Sequence, residues 1–271
     1  MLDRKYATID VEGKNIMKYL GYILRLIGPV IKNYFWIRKY ARHPERYTME
    51  EKYQKTRVFL NRVLKGLRVE FHVEGLENIP QGEEKYLITP NHQSFLDPFF
   101  LFHYFDSPMT FIAKKEIQHY PIVRRVITIL GSEYMDRNDL RQSLKVIRKV
   151  ATSLQNNEVS WAVFPEGHRT KNENYEMNDF KPGTFKIALD SQKAILPVAI
   201  YGGFRPLDTK YKNKISPVQI AILPSIPYEE FRYKRTLEIA QMVEERVKNK
   251  VEELRKKDAA LLAEANRKKK K

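Results

Sequence analysis

Residues 86–98 read Tyr86-Leu87-Ile88-Thr89-Pro90-Asn91-His92-Gln93-Ser94-Phe95-Leu96-Asp97-Pro98: a short apolar run, a proline, and a histidine five positions before an aspartate. Tyr86 to Thr89 has the length and apolar content of a buried strand, and Pro90 ends its ladder because proline has no backbone N–H to donate. Pro98 suits the first turn of a helix through Phe99, Phe100, Leu101 and Phe102, which makes Asp97 the expected N-cap. His92 and Asp97 therefore share one strand-to-helix loop. A neutral imidazole there can take a proton from a substrate hydroxyl, while a carboxylate on its other nitrogen fixes the tautomer and stabilises the imidazolium that forms. An ordinary loop histidine beside a helix cap has the same spelling, so the pair alone does not decide the chemistry.

Working outward, the chain after Arg68 breaks into short apolar runs: Val69 to Val73, Tyr86 to Thr89, Met109 to Ala113, Ser132 to Met135, Trp161 to Phe164, Ile195 to Ile200 and Val218 to Leu223. Helical stretches, notably Leu140 to Leu154 and Thr184 to Ser191, lie between several of them. The alternation predicts an α/β fold, a central and mostly parallel sheet flanked by helices, with reactive groups gathered at the strand ends. From Glu229 to Leu262, Ile239, Val243, Val247, Val251 and Leu254 recur at spacings of four and three, which predicts a helix packing its apolar stripe on the core. The expected organisation is a basic amphipathic helical membrane-docking segment over 1–68, an α/β core over 69–228, and a C-terminal helix with a lysine tail over 229–271. The closing Arg267 to Lys271 run is expected to be a solvated end that can add affinity for an anionic bilayer.

Composition narrows the function classes. The 271 residues are 42% hydrophobic, as in a folded protein, and contain no cysteine, which excludes disulfides, thiolate metal sites and covalent catalysis through a thiol. The net charge is +16, and residues 1–68 alone hold sixteen Lys and Arg against six Asp and Glu. Such a surface attracts polyanions, either nucleic acid or the anionic face of a bilayer. Nucleic-acid binding predicts aromatics interleaved with Lys and Arg on a sheet or groove. Here Tyr22, Phe35 and Trp36 cluster instead with Leu20, Ile23, Ile27, Val30, Ile31 and Tyr34, while Lys18, Arg25, Lys32 and Lys39 recur every seven residues as one cationic stripe. That pattern favours a helix lying in a membrane interface, although an amphipathic helix covering the core shares it. Gly28-Pro29 is expected to kink or split this helix, and a second helix is expected from about Thr48 to Leu67, packing through Tyr53, Val58, Phe59, Val63 and Leu64. No uncharged stretch is long enough to span a bilayer, and Met1 to Tyr6 lacks the pattern of a secretory signal, so the protein is expected to stay inside the cell.

Four blocks occur in order: Asn91 to Pro98 (N-H-x4-D), Gly131 to Arg137 (G-x5-R), Phe164-Pro165-Glu166-Gly167-His168-Arg169-Thr170, and the apolar Ile195-Leu196-Pro197-Val198-Ala199-Ile200. Together they resemble the glycerolipid acyltransferase family, the bacterial 1-acylglycerol-3-phosphate acyltransferases in particular, over about residues 70–225. The sequence departs from the commonest pattern at His168, where threonine is usual, and at Thr170, where serine is usual. The resemblance implies transfer of a fatty acyl group from a thioester to the free hydroxyl of lysophosphatidate, giving phosphatidate. It makes His92 the general base and Asp97 its orienter, with direct attack and no acyl-enzyme. Ser94 is then a turn residue bonding its own backbone. Arg137 and Arg169 lead the candidates for the acceptor phosphate, with Lys114 and Lys181 as further basic positions. Glu166 would bond the glycerol hydroxyl or hold Arg169, and Gly167 would let backbone amides approach the substrate. A thioester is already activated, so no metal or other cofactor is implied; the co-substrate is an acyl carrier protein (ACP) thioester or a coenzyme A (CoA) thioester, at the cytoplasmic face of the cell membrane. His43, His72, His103 and His119 have no metal spacing. Rival readings are another acceptor, glycerol 3-phosphate or a different lysophospholipid, and a non-catalytic basic membrane-binding protein; the latter sits poorly with retention of both His92 and Asp97.

Overall fold

The computed structural model describes residues 13–170, 175–208, 211 and 214–268, and side chains of the first and last helices only between 24 and 267. In chain order the elements are α1 (Gly13–Arg42), α2 (Met49–Gly66), β1 (Val69–Glu74), β2 (Leu87–Pro90), α3 (Asp97–Tyr104), β3 (Met109–Lys114), α4 (Pro121–Ile129), β4 (Glu133–Met135), α5 (Leu140–Gln155), β5 (Ser160–Ala162), α6 (Pro182–Ser191), β6 (Ile195–Tyr201), β7 (Ser216–Ile222) and α7 (Thr236–Lys268). The strands form one seven-stranded sheet in the order β1-β7-β6-β2-β5-β3-β4.

Every neighbouring pair is parallel except β6 and β7. The mostly parallel sheet expected from the alternation is present, and its exception is ordered: β1 and β7 run together, opposite to the other five. The five share one direction because helices carry the chain back between them, as parallel neighbours require, whereas β6 reaches its antiparallel partner without a crossover helix.

Successive side chains point to opposite faces and are claimed by two helical layers. Ile88, Leu196, Val198, Ile200, Ile220 and Ile222 join one buried cluster with α2, α3 and α4. Leu87, Trp161, Val163, Ile195, Ala199 and Tyr201 join a second cluster with α5, α6 and α7. All five α7 positions expected to face the core, Ile239, Val243, Val247, Val251 and Leu254, are buried there. That helix begins at Thr236 rather than Glu229, after a 3-10 turn at Tyr228–Glu230. Glu238 fixes its start by accepting a hydrogen bond from the Arg235 amide at 2.7 Å.

The N-terminal helices share the first cluster. Thr48 caps α2, its hydroxyl accepting from the Glu51 amide at 3.2 Å, and the helix buries Tyr53, Thr56, Phe59, Leu60, Val63 and Leu64. Val58, expected among the packing residues, is 49% exposed, because it falls on the opposite side of the turn from Leu60 and Val63. α1 runs through Gly28-Pro29 as one helix, so of the kink or split expected there the split does not occur. Proline leaves the Arg25 carbonyl without its helical donor. Neighbouring groups hold that turn together: Gly66 of α2 packs so close that a Cβ there would lie 3.3 Å from the Arg25 carbonyl, and Asn33 donates to the Pro29 carbonyl at 2.7 Å. Beyond this point Ile37 and Tyr40 are buried, while Leu24, Ile27, Ile31 and Phe35 stand exposed along one side. Lys18, Leu20, Tyr22 and Ile23, like 1–12 and the end of the lysine tail, lie outside the described side chains. No helix among the described residues is long and apolar enough to cross a membrane.

These burials set an expected contrast in denaturant unfolding. Ile37→Ala should cost about 2–5 kcal/mol of stability, as truncations in a packed core do. Phe35→Ala, two residues away and 79% exposed, should stay within about 0.5 kcal/mol of the parent.

Candidate active site

The register places two loops side by side. β2 pairs with β5 through Leu87↔Trp161 and Ile88↔Ala162, so the chain leaves both strands at the same sheet edge, towards His92 on one and Phe164 to Thr170 on the other. Ligands of open α/β sheets bind outside such strand ends. Asn91 anchors the first loop to β6: its amide donates to the Ile200 carbonyl at 2.9 Å and its oxygen accepts from the Ile200 amide at 2.7 Å. The two loops are bonded to each other, the Thr170 amide donating to the His92 carbonyl at 2.8 Å.

His92 Nδ1 lies 2.8 Å from Asp97 Oδ2. The same oxygen accepts from the Gln93 and Ser94 amides, both at 2.7 Å. Asp97 is fully buried, and it is the first helical residue of α3, not its N-cap; Leu96 holds that place without a side-chain bond. The expectation of a cap fails because two loop amides and the imidazole claim the carboxylate and turn it back from the helix. The arrangement fixes the proton of the neutral imidazole on Nδ1 and leaves Nε2, which has no bond among the described residues, as the basic nitrogen. The His92 side chain is 16% exposed and its ring packs on Phe164 with centroids 4.2 Å apart. Ser94 is a turn residue as expected, its hydroxyl accepting from the Leu96 amide at 3.2 Å.

Glu166, expected at the substrate or beside Arg169, is placed elsewhere. It has no exposed surface, and both oxygens are taken by protein donors: Oε1 by the His92 amide at 2.6 Å, Oε2 by the Thr170 hydroxyl at 3.1 Å and by the Asn178 amide and side chain at 2.9 and 2.7 Å. Burial raises its pKa above the ordinary carboxylate range against the pull of those four bonds. Glu166 is thus a peg under the histidine, and no oxygen remains for a glycerol hydroxyl. Gly167 follows with φ +76°, the left-handed region, and a Cβ there would sit 3.7 Å from the Lys181 stem. The Lys181 amide donates to the Pro165 carbonyl at 2.8 Å, which binds this lysine to the same turn.

The basic candidates line the strand ends. β3 pairs Lys114 with Met135 of β4, two residues before Arg137. Lys114 lies 2.8 Å from Glu116, and Lys115 holds Asp136 at 3.1 Å. Arg137, Arg169 and Lys181 are exposed, and no ion pair engages them among the described residues. Of the phenylalanines in and around α3, Phe100, Phe102 and Phe105 are core, whereas Phe95 and Phe99 are only partly buried beside it. His103 bonds Asn61 and stacks on Phe71, and His72 lies 3.4 Å from Glu70. No group of three or more His, Asp or Glu placed to hold a metal ion occurs among the described residues. Sequence reasoning assigned no role to Asn178, which lies in a stretch without helical or strand periodicity, nor to Gly203, though a Gly202-Gly203 doublet at a strand end is a recognised sign of close backbone approach.

In Glu166→Gln an amide N–H₂ must face either the His92 amide or the donors on Oε2. The variant is therefore expected to lose about 1–3 kcal/mol of stability, the cost of leaving buried donors unmatched. The raised pKa adds a sign. The folded protein keeps this proton to higher pH than the unfolded chain, so stability declines as pH rises from the ordinary carboxylate range through the raised value. Across that range the unfolding free energy of the parent should fall relative to that of Glu166→Gln as pH rises, the difference isolating this group from carboxylates such as Glu253 whose pKa is lowered and whose slope has the opposite sign.

The family model described as Acyltransferase matches residues 70–201. The chain is 27% identical over 190 residues to the 1-acyl-sn-glycerol-3-phosphate acyltransferase of Saccharomyces cerevisiae, covering 69% of this chain and 62% of that protein. It is 28% identical over 205 residues to the probable 1-acyl-sn-glycerol-3-phosphate acyltransferase of Mycoplasma pneumoniae, covering 73% of each. To the human enzyme alpha of the same name it is 30% identical over 168 residues, 61% of this chain and 57% of that one. It therefore spans less than two thirds of the yeast and human relatives. The solved structure of the 1-acyl-sn-glycerophosphate (LPA) acyltransferase PlsC from Thermotoga maritima superposes with a TM-score of 0.71 and 26% identity, over 89% of this chain and 98% of that one. Matching blocks, a matching fold and a run of relatives that all bear one name identify residues 70–201 as an acyltransferase-family domain.

Proposed function

We propose that this protein transfers a fatty acyl group from a thioester to the free hydroxyl of lysophosphatidate, forming phosphatidate. The observation that carries the reading is the His92 Nδ1 to Asp97 Oδ2 bond of 2.8 Å in a loop fastened to the Phe164 to Thr170 turn. The name shared by the relatives supports this acceptor. In the proposed step, His92 Nε2 takes the hydroxyl proton as the oxygen attacks the thioester carbonyl. Collapse of the tetrahedral intermediate breaks the C–S bond, and the proton leaves on the departing thiolate. The products are an ester and a free thiol. Asp97 keeps the proton on Nδ1 before the step and stabilises the imidazolium during it. The buried peg Glu166 holds the backbone of His92, a positioning role.

The acceptor phosphate carries about two negative charges, and Arg137 and Arg169 are proposed to bind it, with Lys114 and Lys181 beside them. An activated thioester needs no metal, nucleotide or redox cofactor; either an ACP or a CoA thioester satisfies the chemistry. The site is proposed to work on the cytoplasmic face of the cell membrane. Leu24, Ile27, Ile31 and Phe35, spaced three, four and four residues apart and 47–79% exposed, would enter the lipid while Arg25, Lys32 and Lys39 meet anionic headgroups.

Purified protein in anionic micelles with lysophosphatidate and a palmitoyl or oleoyl thioester should release thiol and form phosphatidate in equal amounts. His92→Ala should lose about 10²–10⁴-fold in kcat, the contribution of a positioned base. A folded wild-type protein that makes no phosphatidate from either donor refutes the assignment, and other acceptors then need screening. Separately, serine at Leu24, Ile27, Ile31 and Phe35 should weaken binding to anionic vesicles at least tenfold, since each such side chain gains about 1.5–3 kcal/mol on full burial, while leaving the unfolding midpoint near that of the parent.

A further inference from the structure

The turn that follows β6, Gly202-Gly203-Phe204-Arg205, lies outside the matched family segment and has no part in the chemistry described so far. It packs against the least accessible part of the site. A Cβ built on Gly203 would lie 2.7 Å from Asp97 Oδ1 and 3.1 Å from the ring of Phe100. Oδ1 is the oxygen that His92 does not use, and it is buried. The Gly203 amide donates to Gln93 Oε1 at 3.3 Å, tying the turn to the residue beside the base.

The turn itself has little freedom to retreat. Gly202 has φ +82°, and a Cβ there would run into the Arg205 guanidinium at 2.3 Å and the Pro217 carbonyl at 2.8 Å. The buried Arg205 donates to the Pro217 carbonyl at 2.9 Å and pairs with Asp258 of α7, which also accepts from Gln219 at 3.1 Å. A wall braced from α7 therefore stands against one side of the Asp97 carboxylate, while three hydrogen bonds hold the other oxygen.

We propose that Gly203 is a positioning residue for the base: its bare Cα is the surface that fixes the Asp97 carboxylate in the rotation that meets His92. The inference rests on the acyl-transfer reading for its kinetic consequence but not for its geometry. A methyl group at 203 cannot be accommodated by the turn, so the carboxylate rotates, and that rotation breaks the bond to Nδ1. A misplacement of about 1 Å at a catalytic group can cost about 10²-fold.

Gly203→Ala should lower kcat about 10²-fold with the KM for lysophosphatidate unchanged. In an Asp97→Ala background the same substitution should cost nothing further, because it acts only through the carboxylate. The companion measurement needs no turnover: the hydrogen-bonded Nδ1 proton of His92, identified by its loss in His92→Ala, should be visible by NMR in the parent and absent in Gly203→Ala. Gln93→Ala, which cuts the tie without adding an atom, should give the same pattern in milder form and serves if Gly203→Ala does not fold. A folded Gly203→Ala with the parental resonance and kcat overturns the proposal. Losses that multiply with Asp97→Ala overturn it too, as does a Gln93→Ala that changes neither readout when Gly203→Ala is unfolded. A parent without phosphatidate synthesis refutes the function instead, and the resonance still decides the role of Gly203.

Discussion

A carboxylate with no contact to solvent holds the main-chain amide of a histidine, and with the Thr170 to His92 backbone bond it fastens two loops together. Glu166 gives one oxygen to His92 and the other to Thr170 and Asn178, so three segments of chain converge on one side chain. Burying such a group is costly unless its hydrogen bonds are complete. Here each of the four donors is in place, and the price of desolvation appears only as a raised pKa. The geometry of the histidine follows from this peg. His92 cannot shift along its loop without breaking a short charge-assisted bond, and its ring is left with only its tautomer and tilt to be set by Asp97.

The division of labour between the two carboxylates explains why both are buried and neither lies at the rim. Asp97 speaks to the imidazole and two loop amides; Glu166 speaks to the backbone beneath. Arg137, Arg169 and Lys181 stand exposed where the sheet edge opens, with the exposed acid Glu116 nearby and paired to Lys114. An anionic ligand approaching that edge meets attraction at the surface, while the acids that organise the site are screened from it by packing.

Much of this was legible in the chain, and the limits have a physical pattern. The sheet was readable because its strands are short apolar runs, and the His92–Asp97 pair because its members lie five residues apart in one loop. The role expected for Glu166, at a glycerol hydroxyl or beside Arg169, is not what its contacts show, since besides Thr170 its partners sit 74 and 12 residues away and no periodicity connects them. The cap at Asp97 and the break at Pro29 failed for a shared reason. Each is a local propensity overruled by neighbouring contacts, the imidazole and two loop amides in one case, and in the other the packing of α1 on α2 with the Asn33 bond to the Pro29 carbonyl. The reversed direction of β1 and β7 was beyond reach, because hydrophobic patterning does not record strand polarity.

That reversal fixes where the N-terminal helices arrive. β7 starts where β6 ends, with Tyr201 opposite Gln219, and β1 starts beside β7, with Val69 opposite Ser216. The end of α2 therefore enters the sheet at the edge from which His92 emerges, and Gly66 brings Arg25 and the exposed side of α1 to that same edge. With β1 pointing the other way, the helix pair would meet the sheet at its far end, about 20 Å away for a six-residue strand at about 3.3 Å per residue. Strand polarity in this fold thus acts as a ruler: it puts the exposed side of α1 and the His92 imidazole at the same end of the sheet instead of a strand length apart.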